Sequence, residues 1–266
     1  MINSIIGRKQ EQESLLNLYH SKEAEFVAIY GRRRVGKTFL VNSLFANDFL
    51  FKVTAILSNN LQQQLENFSK ALKEYSSMKV PPITSWFDAF GILRNLLEKS
   101  KKKRKVIFID EIPWLDTKRS NFVSALEHFW NGWASAQNEI MFIICGSDIS
   151  WIVKKLFQNR GGLHNRITRR ILLKPFTLAE CRQYFESKGY HIDELSLLEM
   201  YMVFGGIPYY LNLIDKRLSI AQNIDRLCFI QEGELRGEFI NLYTSVFGNT
   251  SQHLAVLEAL GKKRLG

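Results

Sequence analysis

The sequence lacks any run of about 18 consecutive apolar residues, the length that a membrane-spanning helix needs. The first residues, Met1–Glu13, turn polar after a short apolar start and contain no small-residue cleavage site, which argues against a secretory signal peptide. We therefore expect a cytoplasmic protein with no membrane partner.

Cysteine is also scarce, with three residues, Cys145, Cys181 and Cys228, that lie far apart in the chain. They form neither a Cys-x-x-Cys pair nor a Cys/His metal spacing, so we expect reduced and mostly buried thiols. Internal repeats and low-complexity linkers are missing as well. A hydrophobic fraction of 46% argues against disorder, and the 266 residues suffice for one large domain or two modest ones.

Positive charge is in excess, with a formal net charge of +10 that attracts nucleotides, nucleic acids or acidic proteins without choosing among them. The densest cationic run is Lys101–Lys105. It is either a patch for nucleic acid or an acidic partner, or a solvated loop before a strand. The solvated loop is the favoured interpretation, and the lack of interleaved aromatic residues argues against a platform for single strands.

The chain alternates helical patterns with short apolar runs, which predicts an α/β fold with a parallel sheet. Strands are expected at Phe26–Tyr30, Phe49–Ile56, Val106–Ile109, Ile140–Cys145 and Ile171–Leu173. The predicted helices include Asn121–Ala136 and Ile207–Asp215. After Pro175 only helical patterns follow, which indicates a domain boundary. We predict an α/β domain over 1–175, a helical domain over 176–247 and the start of a third, truncated domain over 248–266, with its helix at Ser251–Leu260.

Gly31–Thr38 matches the pattern G-x-x-x-x-G-K-[ST] between a predicted strand and a predicted helix. Glycines let such a loop curl so that backbone N–H groups point at phosphate oxygens. Lys37 is placed to reach the β- and γ-phosphates, and Thr38 to offer a hydroxyl to Mg²⁺. The alternative is a strand-to-helix turn that binds nothing. Arg32–Arg34 either contact phosphate or are solvated.

Two carboxylates, Asp110 and Glu111, follow the predicted strand Val106–Ile109, at the sheet edge where ligands of α/β folds collect. Asp110 is the candidate for holding Mg²⁺ through water, and Glu111 for orienting and deprotonating the attacking water. The alternative is an acidic helix cap. Ser147, after the next strand, either touches the γ-phosphate or the attacking water, or caps the following helix.

Neither Asn-Lys-x-Asp nor Thr-Lys-x-Asp occurs in the chain, so guanine readout of the usual GTPase kind is not encoded. This absence favours adenine, and the expected ligands are ATP and Mg²⁺.

Four segments together resemble the archaeal/bacterial-type AAA ATPases, in the MNS group of STAND P-loop NTPases of the AAA+ superfamily. They are Tyr30–Thr38, Phe108–Leu115, Gly162–Glu180 and Phe204–Leu211. The first two are shared with many P-loop ATPases, whereas the last two are more selective. The resemblance covers nearly the whole chain and implies a five-stranded ASCE P-loop sheet flanked by helices, an α-helical lid and then a winged helix.

The resemblance also implies binding residues outside the loop. Ile6, Gly7 and Arg8 would line the adenine side, unless they are an ordinary helix-entry turn, and Gly206 with Pro208 would place the lid at the nucleotide. The full predicted nucleotide-binding set is Ile6, Gly7, Arg8, Gly31, Arg34, Val35, Gly36, Lys37, Thr38, Phe39, Gly206 and Pro208. Arg166, or else Arg160, would reach the γ-phosphate of a neighbouring subunit in a homo-oligomer, unless it is a surface arginine.

The predicted function is a Mg²⁺-dependent, ATP-hydrolysing regulatory ATPase of the AAA+/STAND kind, with Lys37, Glu111, Ser147 and Arg166 as catalytic candidates. The lid carries no clear sensor-2 arginine, which favours a switch over a processive motor. Two alternatives stay open: a nucleotide-gated DNA-binding module, and a signalling switch that turns ATP over slowly. In either case a DNA or protein partner would act through the C-terminal region.

Overall fold

A computed structural model describes residues 5–76, 80–158, 161–163 and 165–238, together with residues 255 and 259. Its centre is a five-stranded parallel sheet in the order β2-β3-β4-β1-β5. The strands are β1 (Glu25–Tyr30), β2 (Phe49–Thr54), β3 (Lys105–Asp110), β4 (Ile140–Gly146) and β5 (Arg169–Leu172). This arrangement confirms the predicted α/β P-loop fold.

The three central strands, β1, β3 and β4, are nearly continuous runs of buried apolar residues. Helices cover both faces of a parallel sheet, so its inner strands show no alternation of polar and apolar residues. The edge strand β5 differs, because Arg169, Arg170 and Leu172 are exposed. Since β4 lies between β3 and β1, the carboxyl ends of these three strands adjoin one another.

Among the described residues, six α-helices accompany the sheet: α1 (Lys9–His20), α2 (Lys37–Phe45), α3 (Leu61–Tyr75), α4 (Trp86–Lys99), α5 (Phe122–Gly132) and α6 (Ile149–Ile152). Four more follow it between residues 165 and 238: α7 (Leu178–Ser187), α8 (Glu194–Phe204), α9 (Pro208–Leu211) and α10 (Ile220–Ile224). Short 3-10 turns occur at Ile112–Leu115 and Ala134–Ala136, and π-turns at Val153–Phe157 and Asp225–Phe229.

Two predicted helices are shorter than expected. The segment Asn121–Ala136 is not one helix, because α5 ends at Gly132 and Trp133 leaves the helical conformation with φ −152°. The segment Ile207–Asp215 is helical only over α9. The backbone N–H of Asp215 donates to Oδ1 of Asn223, at 2.8 Å, and not back along the chain. The periodicity of apolar residues does not reveal such a hydrogen bond to a side chain eight positions along the chain.

Two apolar clusters cover the two faces of the sheet. On one face the helices α3, α4 and α5 bring together the aromatic residues Phe68, Trp86, Phe90 and Phe122. On the other face α1 and α2 share a single cluster with α7 and α8. The helical region after residue 175 is therefore packed against the sheet through a common apolar core, and the division at 175/176 stays a prediction.

The basic run Lys101–Lys105 is only partly solvated. Arg104 is buried, and its guanidinium donates to the backbone oxygens of Leu18, Glu23 and Asn138 at 2.6–2.9 Å. The Nζ of Lys105 lies 2.9 Å from Oε1 of Glu139. The solvated-loop interpretation is thus wrong for Arg104 and Lys105, which stabilise the amino ends of the strands, and it holds for the exposed residues 101–103.

Within the described ranges, no helix combines the length and the apolar character that a membrane span requires. The predicted third domain at 248–266, with its helix Ser251–Leu260, lies outside the described residues except for positions 255 and 259. The end of the predicted helical domain, 239–247, lies outside them too.

Candidate nucleotide-binding site

The loop between β1 and α2 is curled as its glycines require. Gly31 has φ +148°, and a Cβ there would come 2.4 Å from the backbone oxygen of Leu173, the residue after β5. Gly36 starts α2 with φ +94°, where a Cβ would meet nothing within 4 Å, so conformation and not space demands glycine. Because α2 begins at this loop, the first N–H groups of the helix, which lack partners within it, lie next to the loop.

The ammonium group of Lys37 sits inside this loop. The side chain is buried, and Nζ donates to the backbone oxygens of Gly31 and Arg32, both at 3.0 Å. Burial lowers the pKa of Lys37, while the nearby charges of Glu111 and Asp110 oppose that shift. Two carbonyl oxygens compensate a buried cation only in part, so this lysine is suited to bind a stronger anionic partner.

Thr38 and Asp110 meet although 72 positions separate them, with Thr38 Oγ1 donating to Asp110 Oδ2 at 2.7 Å. The other carboxylate oxygen accepts the backbone N–H of Glu111 at 3.0 Å. Burial raises the pKa of Asp110, and the hydrogen bond from Thr38 opposes this shift. A hydroxyl beside a buried carboxylate matches the oxygen ligands of Mg²⁺.

Protein groups alone do not complete a metal site here. Across the described part of the chain no group of three or more His, Cys, Asp and Glu side chains could hold a metal ion. Sites for Mg²⁺ commonly use only one or two protein ligands and take the remainder from phosphate and water. The pair Thr38 and Asp110 therefore fits a Mg²⁺–nucleotide complex.

Glu111 and Ser147 are in direct contact at the ends of β3 and β4. The Oε2 atom of Glu111 accepts Ser147 Oγ at 2.9 Å and the Ser147 backbone N–H at 3.1 Å. Glu111 has a left-handed backbone, φ +50°, a conformation that is uncommon outside glycine and recurs at functional positions. The alternative of Ser147 as a helix cap is wrong, because Asp148 caps α6 through the Trp151 N–H.

Arg8 joins the loop to the helical region. Its side chain donates to the Val35 backbone oxygen at 3.2 Å and lies 4.7 Å from the ring centre of Phe176. Its backbone N–H donates to Glu180 Oε1 at 2.9 Å. The structure therefore brings Arg8 to the loop, and the neighbouring Ile6 is half-buried, while the adenine-lining role of Ile6, Gly7 and Arg8 stays a prediction.

Glu180 is a residue of this site that the sequence reasoning missed. Its Oε2 accepts from the backbone N–H and the hydroxyl of Thr177, closing a capping box at α7. Although burial raises its pKa, the hydrogen bonds and the charge of Arg8 prevail and lower it. A Cβ at position 7 would lie 2.4 Å from this carboxylate, and the backbone of Gly7 has φ +62°, so both space and conformation favour glycine there. The Thr-x-x-Glu spacing was a readable signal for the cap, but not for the contact with Gly7 and Arg8.

Gly206 packs directly on the backbone of Phe176. A Cβ at this position would lie 1.9 Å from the Phe176 oxygen, and Gly206 O accepts the Phe176 N–H at 2.7 Å. Pro208 follows as the first residue of α9. The segment Gly206–Pro208 is thus linked through Phe176 to Arg8 and from there to the loop.

The loop arginines are not simply solvated. Arg34 forms an ion pair with Glu238 and lies 4.1 Å from the ring centre of Tyr209, while Arg33 lies 5.5 Å from that of Trp114. Glu238 is a second residue that sequence reasoning missed, and nothing in the local pattern indicated it.

The remaining predicted residues are peripheral. Phe39 points outward from α2 and is 47% exposed. Arg166 is exposed in the turn before β5, and its backbone N–H donates a hydrogen bond to the Leu163 oxygen. Arg160 lies outside the described residues. The role of either arginine toward a neighbouring subunit stays a prediction.

Comparison with known proteins agrees with this geometry. A family described as an ATPase domain predominantly from Archaea matches residues 6–214. An uncharacterized protein of Methanocaldococcus jannaschii is 28% identical over 268 residues, which cover 98% of this chain but 55% of that protein. The chain thus spans about half the length of this relative. An uncharacterized ATP-binding protein of the same organism is 40% identical over 42 residues, 16% of this chain and 71% of that protein.

Several solved structures share the fold at low identity. A Walker-type ATPase of Pyrococcus abyssi aligns with a TM-score of 0.59 and 20% identity, over 90% of this chain and 75% of that one. The ORC2 protein of Aeropyrum pernix, in ADPNP–ADP complexes, aligns at 0.56 and 14%, over 95% and 71%. A STAND protein of Pyrococcus horikoshii with a tetratricopeptide repeat sensor aligns at 0.50 and 20%, over 88% and 34%.

Proposed function

The chain belongs to the family of ATPase domains found predominantly in Archaea, and from this premise we propose that it is a Mg²⁺-dependent ATPase that acts as a regulatory AAA+/STAND-type switch. The observation that carries the proposal is the contact between Thr38 and Asp110, beside the buried ammonium of Lys37. A hydroxyl, a carboxylate and a cation thereby converge at the mouth of one phosphate-shaped loop.

Binding of the triphosphate would use the loop as it stands. The N–H groups at the start of α2 and the positive end of the helix attract phosphate oxygens. Lys37 would exchange its two carbonyl contacts for charged phosphate oxygens, which form stronger hydrogen bonds with an ammonium group. Arg8 supports the loop from behind through the backbone oxygen of Val35.

Thr38 and Asp110 would hold Mg²⁺, which would offset the charge that develops on the phosphate. Asp110 must be ionised for this role, although its burial favours the neutral form. The hydrogen bond from Thr38 stabilises the carboxylate and fixes its direction.

Glu111 would act as the general base. In hydrolysis the water oxygen forms a bond to the γ-phosphorus, the bond from the γ-phosphorus to the β–γ bridging oxygen breaks, and the proton of the water passes to the Glu111 carboxylate. Ser147 anchors one oxygen of this carboxylate and leaves the other available to the water.

A switch is supported by the links between the loop and the helical region. The chain of contacts runs from Val35 through Arg8 and Phe176 to Gly206, so a change in the loop has a physical route to the helices. The alternative of a DNA-binding module loses part of its basis, because Arg104 and Lys105 of the basic run are engaged within the fold.

Calorimetric titration with ATP and GTP, with and without Mg²⁺, tests the proposal. We expect Mg²⁺-dependent binding of ATP that Lys37→Ala weakens by about 100-fold or more. The exposed Lys70→Ala on α3 serves as the matched control and should bind as the wild type does. Unchanged ATP affinity in Lys37→Ala would refute the proposed site.

Hydrolysis needs its own measurement, single-turnover kinetics with Glu111→Gln. We expect ATP binding to survive while the hydrolysis rate falls about 10²- to 10⁴-fold, the range of a lost general base. The exposed Glu66→Gln is the control for the substitution. A hydrolysis rate in Glu111→Gln equal to that of the wild type would remove Glu111 from the mechanism.

A further inference from the structure

Glu238 reaches the phosphate loop from the far end of the described chain. Its carboxylate forms an ion pair with Arg34, a loop residue, and accepts the hydroxyl of Tyr210 at 3.1 Å. The side chain of Glu238 is 10% exposed and that of Arg34 is 34% exposed. The ring of the neighbouring Tyr209 lies against the same guanidinium, at 4.1 Å.

The segment that presents Glu238 is held by its own backbone. Leu235 donates its N–H to the Leu227 oxygen at 2.9 Å and packs against the apolar cluster that α1 and α2 share with α7 and α8. The N–H of Glu238 in turn donates to the Leu235 oxygen at 3.0 Å. These bonds carry the chain from the π-turn after α10 back to the loop.

A buried carboxylate is an unusual neighbour for a loop built to take a polyanion. Burying a charge is costly unless the charge is paired and hydrogen-bonded, and Arg34 and Tyr210 supply both here. The pKa of Tyr210 is raised to about 12, first by burial and then by the charge and the hydrogen bond of Glu238. Glu238 is therefore held beside the loop by an ion pair and a hydrogen bond.

We propose that Glu238 is a positioning residue that holds Arg34 away from the phosphates, and that a bound triphosphate displaces it. Arg34 has one guanidinium and two anionic competitors, the carboxylate and the polyphosphate, and the Mg²⁺-bound triphosphate carries more charge than a single carboxylate. When Arg34 turns to the phosphates, Glu238 loses its partner and the segment 233–238 loosens.

This inference rests on the proposed function and deepens it, since it names the contact through which a bound nucleotide would change the segment 233–238. Glu238 ends the segment 233–238, so its release from Arg34 frees this segment from the loop. A ligand shifts such an equilibrium only by its different affinity for the two states, and competition for Arg34 provides that difference.

The test measures ATP affinity by calorimetry in Glu238→Gln, Arg34→Gln and the double variant. We expect Glu238→Gln to bind Mg²⁺–ATP about fivefold more tightly, because the ion pair no longer competes. The double variant separates this mechanism from simple repulsion between Glu238 and the phosphates. If Glu238 acts through Arg34, its substitution has no effect in the Arg34→Gln background, whereas repulsion would persist there.

Glu234→Gln is the matched control, because Glu234 lies in the same segment and pairs with Arg226 at 3.5 Å, away from the loop. It should bind ATP as the wild type does. Hydrogen exchange supplies the second readout: Mg²⁺–ATP should speed the exchange of amides 235–238 in the wild type and change it little in Glu238→Gln.

The outcomes distinguish this inference from the function on which it rests. Wild-type protein that binds no ATP overturns both. Normal ATP binding, together with unchanged exchange at 235–238 or an equal gain from Glu238→Gln in both backgrounds, overturns the inference alone.

Discussion

Replacing Gly206 by alanine probes how tightly the helical region after residue 175 is packed against the sheet. The added Cβ would lie 1.9 Å from the oxygen, 2.6 Å from the carbon and 2.7 Å from the nitrogen of the Phe176 backbone. Because all three atoms are backbone, no rotation of a side chain relieves the contact. The two segments must separate by roughly 1 Å or more, since van der Waals contact of heavy atoms begins near 3.5 Å.

The separation breaks identifiable interactions. The hydrogen bond from Phe176 N–H to Gly206 O, at 2.7 Å, is lost, and that from the Tyr201 hydroxyl to Phe176 O, at 3.1 Å, is weakened. With about 1 kcal/mol for each bond and 1–3 kcal/mol for overpacking, we expect about 3–5 kcal/mol of destabilisation. That is a large part of the roughly 5–15 kcal/mol of a typical domain.

Urea unfolding followed by circular dichroism measures this change. Gly91→Ala on α4 is the control, since a Cβ there meets nothing within 4 Å and an alanine in an exposed helix interior should stabilise by about 1 kcal/mol. We also expect Gly206→Ala to bind ATP about threefold to tenfold more weakly, because Phe176 supports the guanidinium of Arg8. An unfolding midpoint of Gly206→Ala equal to that of the wild type would show that the docking argument is mistaken.

Three further predictions concern other parts of the molecule. Ser147→Ala removes the hydroxyl from Glu111 but keeps the backbone N–H, so single-turnover hydrolysis should slow about tenfold with ATP affinity unchanged; an unaltered rate would contradict the role given to Ser147. Arg104→Met removes three hydrogen bonds to backbone oxygens and should lower the free energy of unfolding by about 2–4 kcal/mol. ATP affinity, measured by calorimetry, should stay the same because the site is at the opposite edge of the sheet. Mg²⁺–ATP binding should weaken as the pH falls through the pKa of Asp110. Because burial raises that pKa, the loss of affinity should begin at a pH above the usual aspartate range. Calorimetric titrations at several pH values in which affinity falls only within the usual aspartate range would refute this.

The phosphate loop was readable from the sequence because its determinants are local. The glycines, the lysine and the hydroxyl stand within eight consecutive positions, and the strand before them and the helix after them are set by neighbouring side chains. The junction of Thr38 with Asp110 was also foreseeable, since the carboxyl ends of parallel strands share one edge. The structure places the two side chains in contact, while their role at Mg²⁺ stays a prediction.

One helix boundary that failed involves a side chain outside the segment. The predicted helix over Ile207–Asp215 does not extend to Asp215, whose N–H donates to the side chain of Asn223. Periodicity measures which face of a segment is apolar, and it carries no information about a polar side chain that arrives from another part of the chain.

By itself the sequence determined the fold class and the chemistry of the loop, since both follow from patterns a few residues long. Only the tertiary structure decided that Glu180 supports Gly7 and Arg8, that Arg104 fastens the strand ends, and that Glu238 holds Arg34. The physical reason is that the partner of a charged side chain is set by burial and by distance in space. Positions 34 and 238, or 8 and 180, become neighbours only after the sheet and the helical region after residue 175 have packed together.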